Sequence, residues 1–352
     1  MTRLTLPILA HRAPPDHPAI AAAAEALAAG AQGPRDIRFV KTLRVSVTDH
    51  CNFRCIYCMP EDGVDWLPRA DLLTYEEIVE VCRAAIGHGI RDFKLTGGEP
   101  LLRKDLAVLA RLIRALPGAG EISLTTNGLL LERHIDELAD AGVARITVSL
   151  DTLDAPRFRA ITRTGDLATV RRGIAAADQR LGPTKLNVVV MRSYNLDELA
   201  SFAALTIDSP RTVRLIEFMP LADSRLLHDP DEFVPYDEMR SVIEARLGPL
   251  EPAPRDVGNG PAHVWRVRGG AGRIGFIHAM TAPFCATCNR LRLTPDGQLR
   301  SCLFDGGEID LRPLLRPVTF NAQLRQAFLD CVVLKPDAHQ HYGNRQMSRI
   351  GG

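Results

Sequence analysis

The sequence has almost no excess of charge: 43 basic residues stand against 42 acidic ones, a formal net charge of +1. No overall field then draws it to nucleic acid or to an anionic membrane, and any anion site has to be a local cluster of cations. A long apolar run is also missing. The longest, residues 19–31, is alanine-rich and broken by Glu25, well short of the roughly 20 strongly apolar residues of a membrane span. The opening residues lack the pattern of a secretory leader, although their acid-poor composition is weakly like an organelle transit peptide. Repeats are absent beyond a β/α alternation. The expectation is a soluble, cytoplasmic chain without nucleic-acid or membrane partners.

What is present is an ordinary globular composition, 46% hydrophobic and 24% charged, which excludes wholesale disorder. The 352 residues suffice for one large barrel-type domain with an appendage, or for two ordinary domains. Residues 1–36, punctuated by Pro14, Pro15, Pro18, Gly33 and Pro34, read as a flexible extension with a short Ala-rich helix.

From Thr42 onward, β-rich runs alternate with amphipathic segments. The runs are Thr42–Thr48, Arg91–Leu95, Ile122–Thr125, Arg145–Leu150, Asn187–Met191 and Val213–Phe218. Between them, Thr74–Gly87 opens on a capping box of Thr74 and Glu77, Asp105–Leu116 is stopped by Pro117, and Leu167, Val170, Ile174, Ala177 and Leu181 form one apolar stripe. Such succession predicts right-handed crossovers and a parallel sheet. The fold class is therefore α/β, an incomplete (β/α)6 TIM-type barrel two units short of closure, over residues 37–222. A smaller C-terminal α+β region over 223–352 opens on a linker at 222–235 and includes a Pro/Gly loop at 251–260. Each of the six strands runs into polar or glycine-rich residues, among them Thr48–Asp49–His50, Gly97–Gly98–Glu99, Thr125–Thr126–Asn127, Ser149–Leu150–Asp151 and Glu217–Phe218–Met219. Carboxyl ends of barrel strands converge on one face, so these exits predict a single site.

The eight cysteines are clustered. Cys51, Cys55 and Cys58 form C-x3-C-x2-C, and Cys285, Cys288 and Cys302 form C-x2-C-x13-C; such spacings favour metal or cluster ligation over disulfides. Cys82 and Cys331 fall on apolar helical stripes and read as buried structural thiols. Three thiolates can hold three irons of a [4Fe–4S] cube and leave the fourth iron open. A closed zinc site would need a fourth ligand, which His50 could supply to the first group. Phe53 and Tyr57 within the tight loop suit a shielded cluster better.

The loop Cys51–Asn52–Phe53–Arg54–Cys55–Ile56–Tyr57–Cys58 resembles the signature of radical S-adenosylmethionine enzymes, and Gly97–Gly98–Glu99–Pro100 resembles that superfamily's second motif. The resemblance narrows through Leu43–Asp49, Leu95–Leu101, Thr125–Gly128, Phe284–Thr294 and the terminal Met347–Gly352, which together are similar to the GTP 3′,8-cyclase family over about residues 37–352. It implies a lyase with two [4Fe–4S] clusters, on Cys51, Cys55, Cys58 and on Cys285, Cys288, Cys302. It further implies S-adenosylmethionine lined by Tyr57, Gly98, Ser149 and Met219. GTP would be contacted by the cations Arg44, Lys94, Lys185, Arg214, Arg290 and Arg292, placed at strand ends, with Thr125 beside them. The catalytic set so implied is the first cysteine trio with Arg290 and Arg292, and the reaction is conversion of GTP to 3′,8-cyclo-7,8-dihydro-GTP, the first step of molybdenum cofactor biosynthesis. Partners implied are a homodimer mate, a reductant such as flavodoxin or ferredoxin, and the downstream cyclic pyranopterin monophosphate synthase. In the family the Gly351–Gly352 tail reaches into the site.

The sequence departs from the family at Lys94, usually arginine, which keeps the charge but loses the bidentate fork. His50 and the His278–Ala279 pair also differ from the common residues. Two other readings remain open at this level: a two-cluster radical enzyme that modifies a peptide, or a non-catalytic electron carrier or zinc adaptor.

Overall fold

The computed structural model describes residues 33–221, 229–254, 260–304, 307–339 and 347–351. Most of the expected N-terminal extension with its Ala-rich helix, most of the expected linker, part of the 251–260 loop and Gly352 lie outside the described residues.

Six parallel strands form as the sequence pattern predicts: β1 (Thr42–Ser46), β2 (Asp92–Thr96), β3 (Ile122–Thr126), β4 (Val143–Ser149), β5 (Lys185–Val190) and β6 (Thr212–Glu217). Two begin two residues earlier than expected, because Val143 and Lys185 already pair with their neighbours. The helices Tyr75–Gly87, Leu106–Arg114, Leu131–Asp140, Leu167–Leu181 and Leu199–Ala204 lie in the connections. The period-2 pattern sorts the two faces of the sheet. Leu43, Val45, Phe93, Leu95, Leu124, Val148, Val188 and Leu215 are essentially inaccessible and belong to one continuous apolar core with the helices. The alternate residues, Arg44 beside Lys94 and Thr147 beside Lys185, face the other way.

The C-terminal region builds onto the same sheet rather than standing apart from it. Its strands are β7 (Leu250–Pro252), β8 (His263–Val267), β9 (Arg273–Ile277), β10 (Arg290–Leu293), β11 (Gln298–Arg300) and β12 (Glu308–Asp310). β10 adds in parallel to β1, and β9 adds in parallel to β6, so eight strands run parallel. The full order is β12-β11-β10-β1-β2-β3-β4-β5-β6-β9-β8-β7, with antiparallel hairpins at both ends. The two units missing from the six-fold count are thus replaced, one on each edge, by strands from late in the chain.

Local chemistry supports these elements. Thr74 accepts from the Glu77 N–H while the Glu77 carboxylate accepts from the Thr74 N–H, which satisfies two otherwise orphaned donors at the start of Tyr75–Gly87. Glu77 also receives a two-pronged contact from Arg316, tying this helix to the C-terminal region. Among the described residues no helix is long and apolar enough to cross a membrane. Thr74→Ala is expected to lower the unfolding free energy by about 1 kcal/mol, read as a lower urea midpoint, with Thr74→Ser near wild type.

Candidate active site

The strand exits, the first cysteine loop and the second cysteine region line one cavity of about 280 Å³. All six clustered cysteines border it, together with Tyr57 from the first loop, Gly98, Thr125, Ser149 and Met219 from the exits and Arg44, Arg214, Arg290 and Arg292 from the strands. Cys82 and Cys331 are fully buried elsewhere in the core, as their apolar stripes predicted.

The first loop is held by backbone contacts. Arg54 and Ile56 donate N–H groups to Thr162 O and Ile161 O at 3.0 Å, and Arg163 reaches back to Arg54 O and Met59 O. Phe53 packs edge-on against Phe158 at 5.9 Å. The glycine motif is pinned to the same loop: Gly98 N donates to Thr48 O at 2.8 Å and Glu99 N to His50 O at 2.7 Å. A Cβ on Gly98 would stand 2.4 Å from the carbonyl oxygens of Asp49 and His50, so only glycine permits this approach. Glu99, wholly buried, accepts from Thr126 Oγ1, Leu101 N and Asn127 N, which binds the exits of β2 and β3 together.

Burial pushes the first trio's thiols up, Cys51 to about 11 and Cys58 to about 12, with Cys55 also well above its ordinary value. After burial, the charges that raise them include Glu99 for Cys51 and Asp151 for Cys55 and Cys58. Asp151 also accepts the Tyr57 hydroxyl at 2.8 Å and the Val189 N–H at 2.9 Å, which fixes the Tyr57 ring at the cavity wall. The second trio differs. Burial raises Cys285 to about 11, whereas at Cys288 the cations Arg290 and Lys335 outweigh burial and bring the thiol down to about 6. Among the described residues no three His, Cys, Asp or Glu side chains form a group that could hold a single metal ion. Thiolates on a cube each take a separate iron, so both trios, each on one wall of a shared cavity, fit clusters in that respect.

The cations correct one expectation. They were placed at strand ends, but Arg44, Lys94 and Arg214 lie within β1, β2 and β6, and Lys185 opens β5. Lys94 and Lys185 line an adjoining cavity of about 110 Å³ that shares Arg44, Arg214 and Arg290 with the larger one. The site thus has two tiers, thiols and glycine backbone at the strand exits and cations deeper in the barrel. The lower tier is charged against itself: burial depresses Arg44 most, followed by Arg292, Arg290 and Arg214, and burial depresses Lys94 before Arg214, Arg44 and Lys185 add to it. Thr147 Oγ1 accepts from both Lys94 and Arg214. A polyanion would relieve this repulsion. Arg292 donates to the Gly351 carbonyl at 2.6 Å, and a Cβ on Gly351 would meet Thr96 Cγ2 at 2.7 Å, so the tail enters the barrel mouth through a passage that only glycine fits.

Residues 45–206 match the family model of the Radical SAM superfamily, and residues 211–341 match Molybdenum Cofactor Synthesis C. The chain is 48% identical over 320 residues to a GTP 3′,8-cyclase of Pelotomaculum thermopropionicum and 46% identical to one of Moorella thermoacetica, in each case over 90% of this chain and 98% of the other. This chain belongs to the GTP 3′,8-cyclase family. Its fold is also similar to the crystal structure of Streptococcus suis SuiB bound to S-adenosylmethionine, with a TM-score of 0.54 at 13% identity over 89% of this chain and 76% of the other. As in other Radical SAM proteins, a [4Fe–4S] cluster and S-adenosylmethionine are its cofactors.

The cyclase motifs point to all six thiols of the cavity and to Arg44, Arg214, Arg290 and Arg292, but not to Asp151, Glu217, Lys335 or His339. Asp151 and Glu217 were visible as strand-exit acids. Lys335 and His339 follow the last long helix and carry no motif, so only the folded chain brings them to the cavity.

Two outcomes are expected. Gly98→Ala should abolish S-adenosylmethionine binding, measured by equilibrium dialysis, because the new methyl has only backbone to displace. Burial pushes Glu99 up to about 7, so the folded state holds its proton more tightly than the unfolded chain. The stability this gives is full below about 4.5 and is lost as pH rises through about 7. Glu99→Gln should flatten that decline, worth up to about 3 kcal/mol, in anaerobic urea titrations from pH 5 to 8.

Proposed function

We propose that this chain converts GTP to 3′,8-cyclo-7,8-dihydro-GTP, with Cys51, Cys55 and Cys58 holding the S-adenosylmethionine cluster and Cys285, Cys288 and Cys302 holding a second [4Fe–4S] cluster. The observation that carries the reading is the shared cavity: both trios line it together with Arg44, Arg214, Arg290 and Arg292, and the pocket of Lys94 and Lys185 adjoins it. When bound, the first cluster and S-adenosylmethionine supply reductive cleavage of the sulfonium and the resulting 5′-deoxyadenosyl radical.

The chain's own residues then have separable tasks. Residues 37–222 supply the S-adenosylmethionine half and 223–352 the second cluster. Gly98 backs the methionine moiety with exposed backbone, while Tyr57, Ser149 and Met219 line the adenosyl portion. Arg44, Lys94, Lys185 and Arg214 take the triphosphate in the lower tier, where their mutual repulsion is exchanged for charge-assisted hydrogen bonds. Thr125, Arg290 and Arg292 border the cavity that also holds the thiols, and orient the nucleoside so that the ribose C3′ faces the adenosyl carbon. Phe53, Phe284 and Phe304 are apolar or aromatic walls near the reacting centre and keep water from a radical. The reductant, the homodimer mate and the pyranopterin synthase that takes the product belong to the same reading.

Anaerobic reconstitution tests it. About eight irons per chain and GTP-dependent cleavage of S-adenosylmethionine are expected; four irons would remove the second cluster. Cys→Ser at Cys51, Cys55 or Cys58 should abolish cleavage. The same change at Cys285, Cys288 or Cys302 should leave S-adenosylmethionine binding intact but stop formation of the cyclised nucleotide, followed by chromatography of the products.

A further inference from the structure

Lys335 has no task in the reading above, yet it is one of the most confined charges in the molecule, with 3% of its surface exposed. Its Nζ donates to the Cys288 carbonyl at 2.7 Å, to the Arg290 carbonyl at 2.7 Å and to Cys288 Sγ at 3.6 Å. Three donations at once use all the hydrogens of an ammonium, whereas a neutral amine has only two. Among the described residues it forms no ion pair with a carboxylate; the thiol in hydrogen-bond contact with it is Cys288, with Cys302 acting on it from farther away. Burying an ammonium costs several kcal/mol unless it is paired. A latch that merely held the Cys288–Arg290 backbone would be cheaper to build from a neutral donor.

The surroundings of the two trios are opposite in sign. Cys288 lies against Lys335 and, at 3.9 Å, against Arg290; Arg300, which approaches the Cys302 carbonyl at 3.5 Å, is paired with Glu308 and adds little net charge. The first trio has the carboxylates of Asp151 and Glu99 among its neighbours, with Arg54 the cation that bears on Cys51. Adding an electron to a cluster adds negative charge, so a fixed cation at a ligating sulfur favours the reduced form and a nearby carboxylate disfavours it.

We propose that Lys335 is a positioning residue of the second site, whose ammonium on Cys288 Sγ raises the one-electron reduction potential of the cluster held there. This rests on the two-cluster reading. One consequence is that the second cluster accepts an electron from solution at a milder potential than the first.

The test uses the full-length chain with Cys51, Cys55 and Cys58 changed to Ala, so that only the second site takes up iron, reconstituted anaerobically. Dithionite titration through redox mediators, followed by electron paramagnetic resonance, then reads the midpoint in this parent and in its Lys335→Met, Lys335→Gln and Lys335→Arg forms. Gln keeps donors for the two carbonyls but removes the charge. Met and Gln should keep the parent's iron while the reduced-to-oxidised ratio at a fixed potential falls about tenfold, a shift of about 59 mV to more negative values; Arg should restore the parent's midpoint. An unshifted midpoint at full iron content in the Gln form overturns the proposal. So does loss of iron in every uncharged form, which would make Lys335 a structural latch. Four irons in the wild type would remove both readings, whereas eight irons with an unshifted midpoint removes this one alone.

Discussion

The structure turns on the burial of like charges inside a parallel barrel. Arg44, Lys94 and Arg214 are half-buried and Arg292 is buried; beyond burial itself, Arg292 and Arg214 depress Arg44, and Arg214 and Arg44 depress Lys94. Such an arrangement is unfavourable by itself and persists because the opposite face of the same strands is an unbroken apolar core. The alternation within each strand is what allows this: Leu43 and Val45 contribute stability while Arg44, between them, contributes function. A globally neutral chain can therefore hold a strongly positive interior without attracting polyanions to its outer surface.

A second constraint is steric. The cofactor face requires the β2 exit to lie against the loop that carries the first thiols, and the two backbones come together closely enough that no side chain fits at Gly98. Glu99 then secures the exit of β3 to that of β2, and the Asp151 contact with Tyr57 secures that of β4. The strand exits are thus joined by buried carboxylates accepting N–H and O–H donors. Glu217 repeats the device on β6, receiving the Tyr236, Met280 and Thr281 N–H groups and so placing the segment that leads into Cys285. Three acids, Glu99, Asp151 and Glu217, none of them a proposed ligand or substrate contact, give the thiol loops their positions.

The strands, the helices and the capping box were legible because each rests on local pattern: period 2 in β1, period 3.6 in Leu167–Leu181, and a cap at Thr74. The thiols were legible because ligand spacing is short-range. Strand beginnings at Val143 and Lys185 were not, since pairing with a neighbouring strand decides them. Nor was the depth of the cations. Arg44 and Lys94 look alike whether a strand enters or leaves the barrel at that point, and only the parallel register sets them side by side below the thiols. Lys335 was invisible for the same reason, since it meets Cys288 and Arg290 only after the Asn321–Val333 helix has docked.

The addition of β10 to β1 and of β9 to β6 bears on how the chain reaches its native state. Thr42 pairs with Arg290, and Thr212 with Arg273, so the first barrel strand waits for a partner made almost 250 residues later. Until then the six-stranded unit presents two bare parallel edges, each a template for pairing with another molecule. Contacts of such sequence separation slow folding and prolong exposure of those edges. The walls that finish the reaction chamber are, by the same token, what protects a newly made chain from self-association.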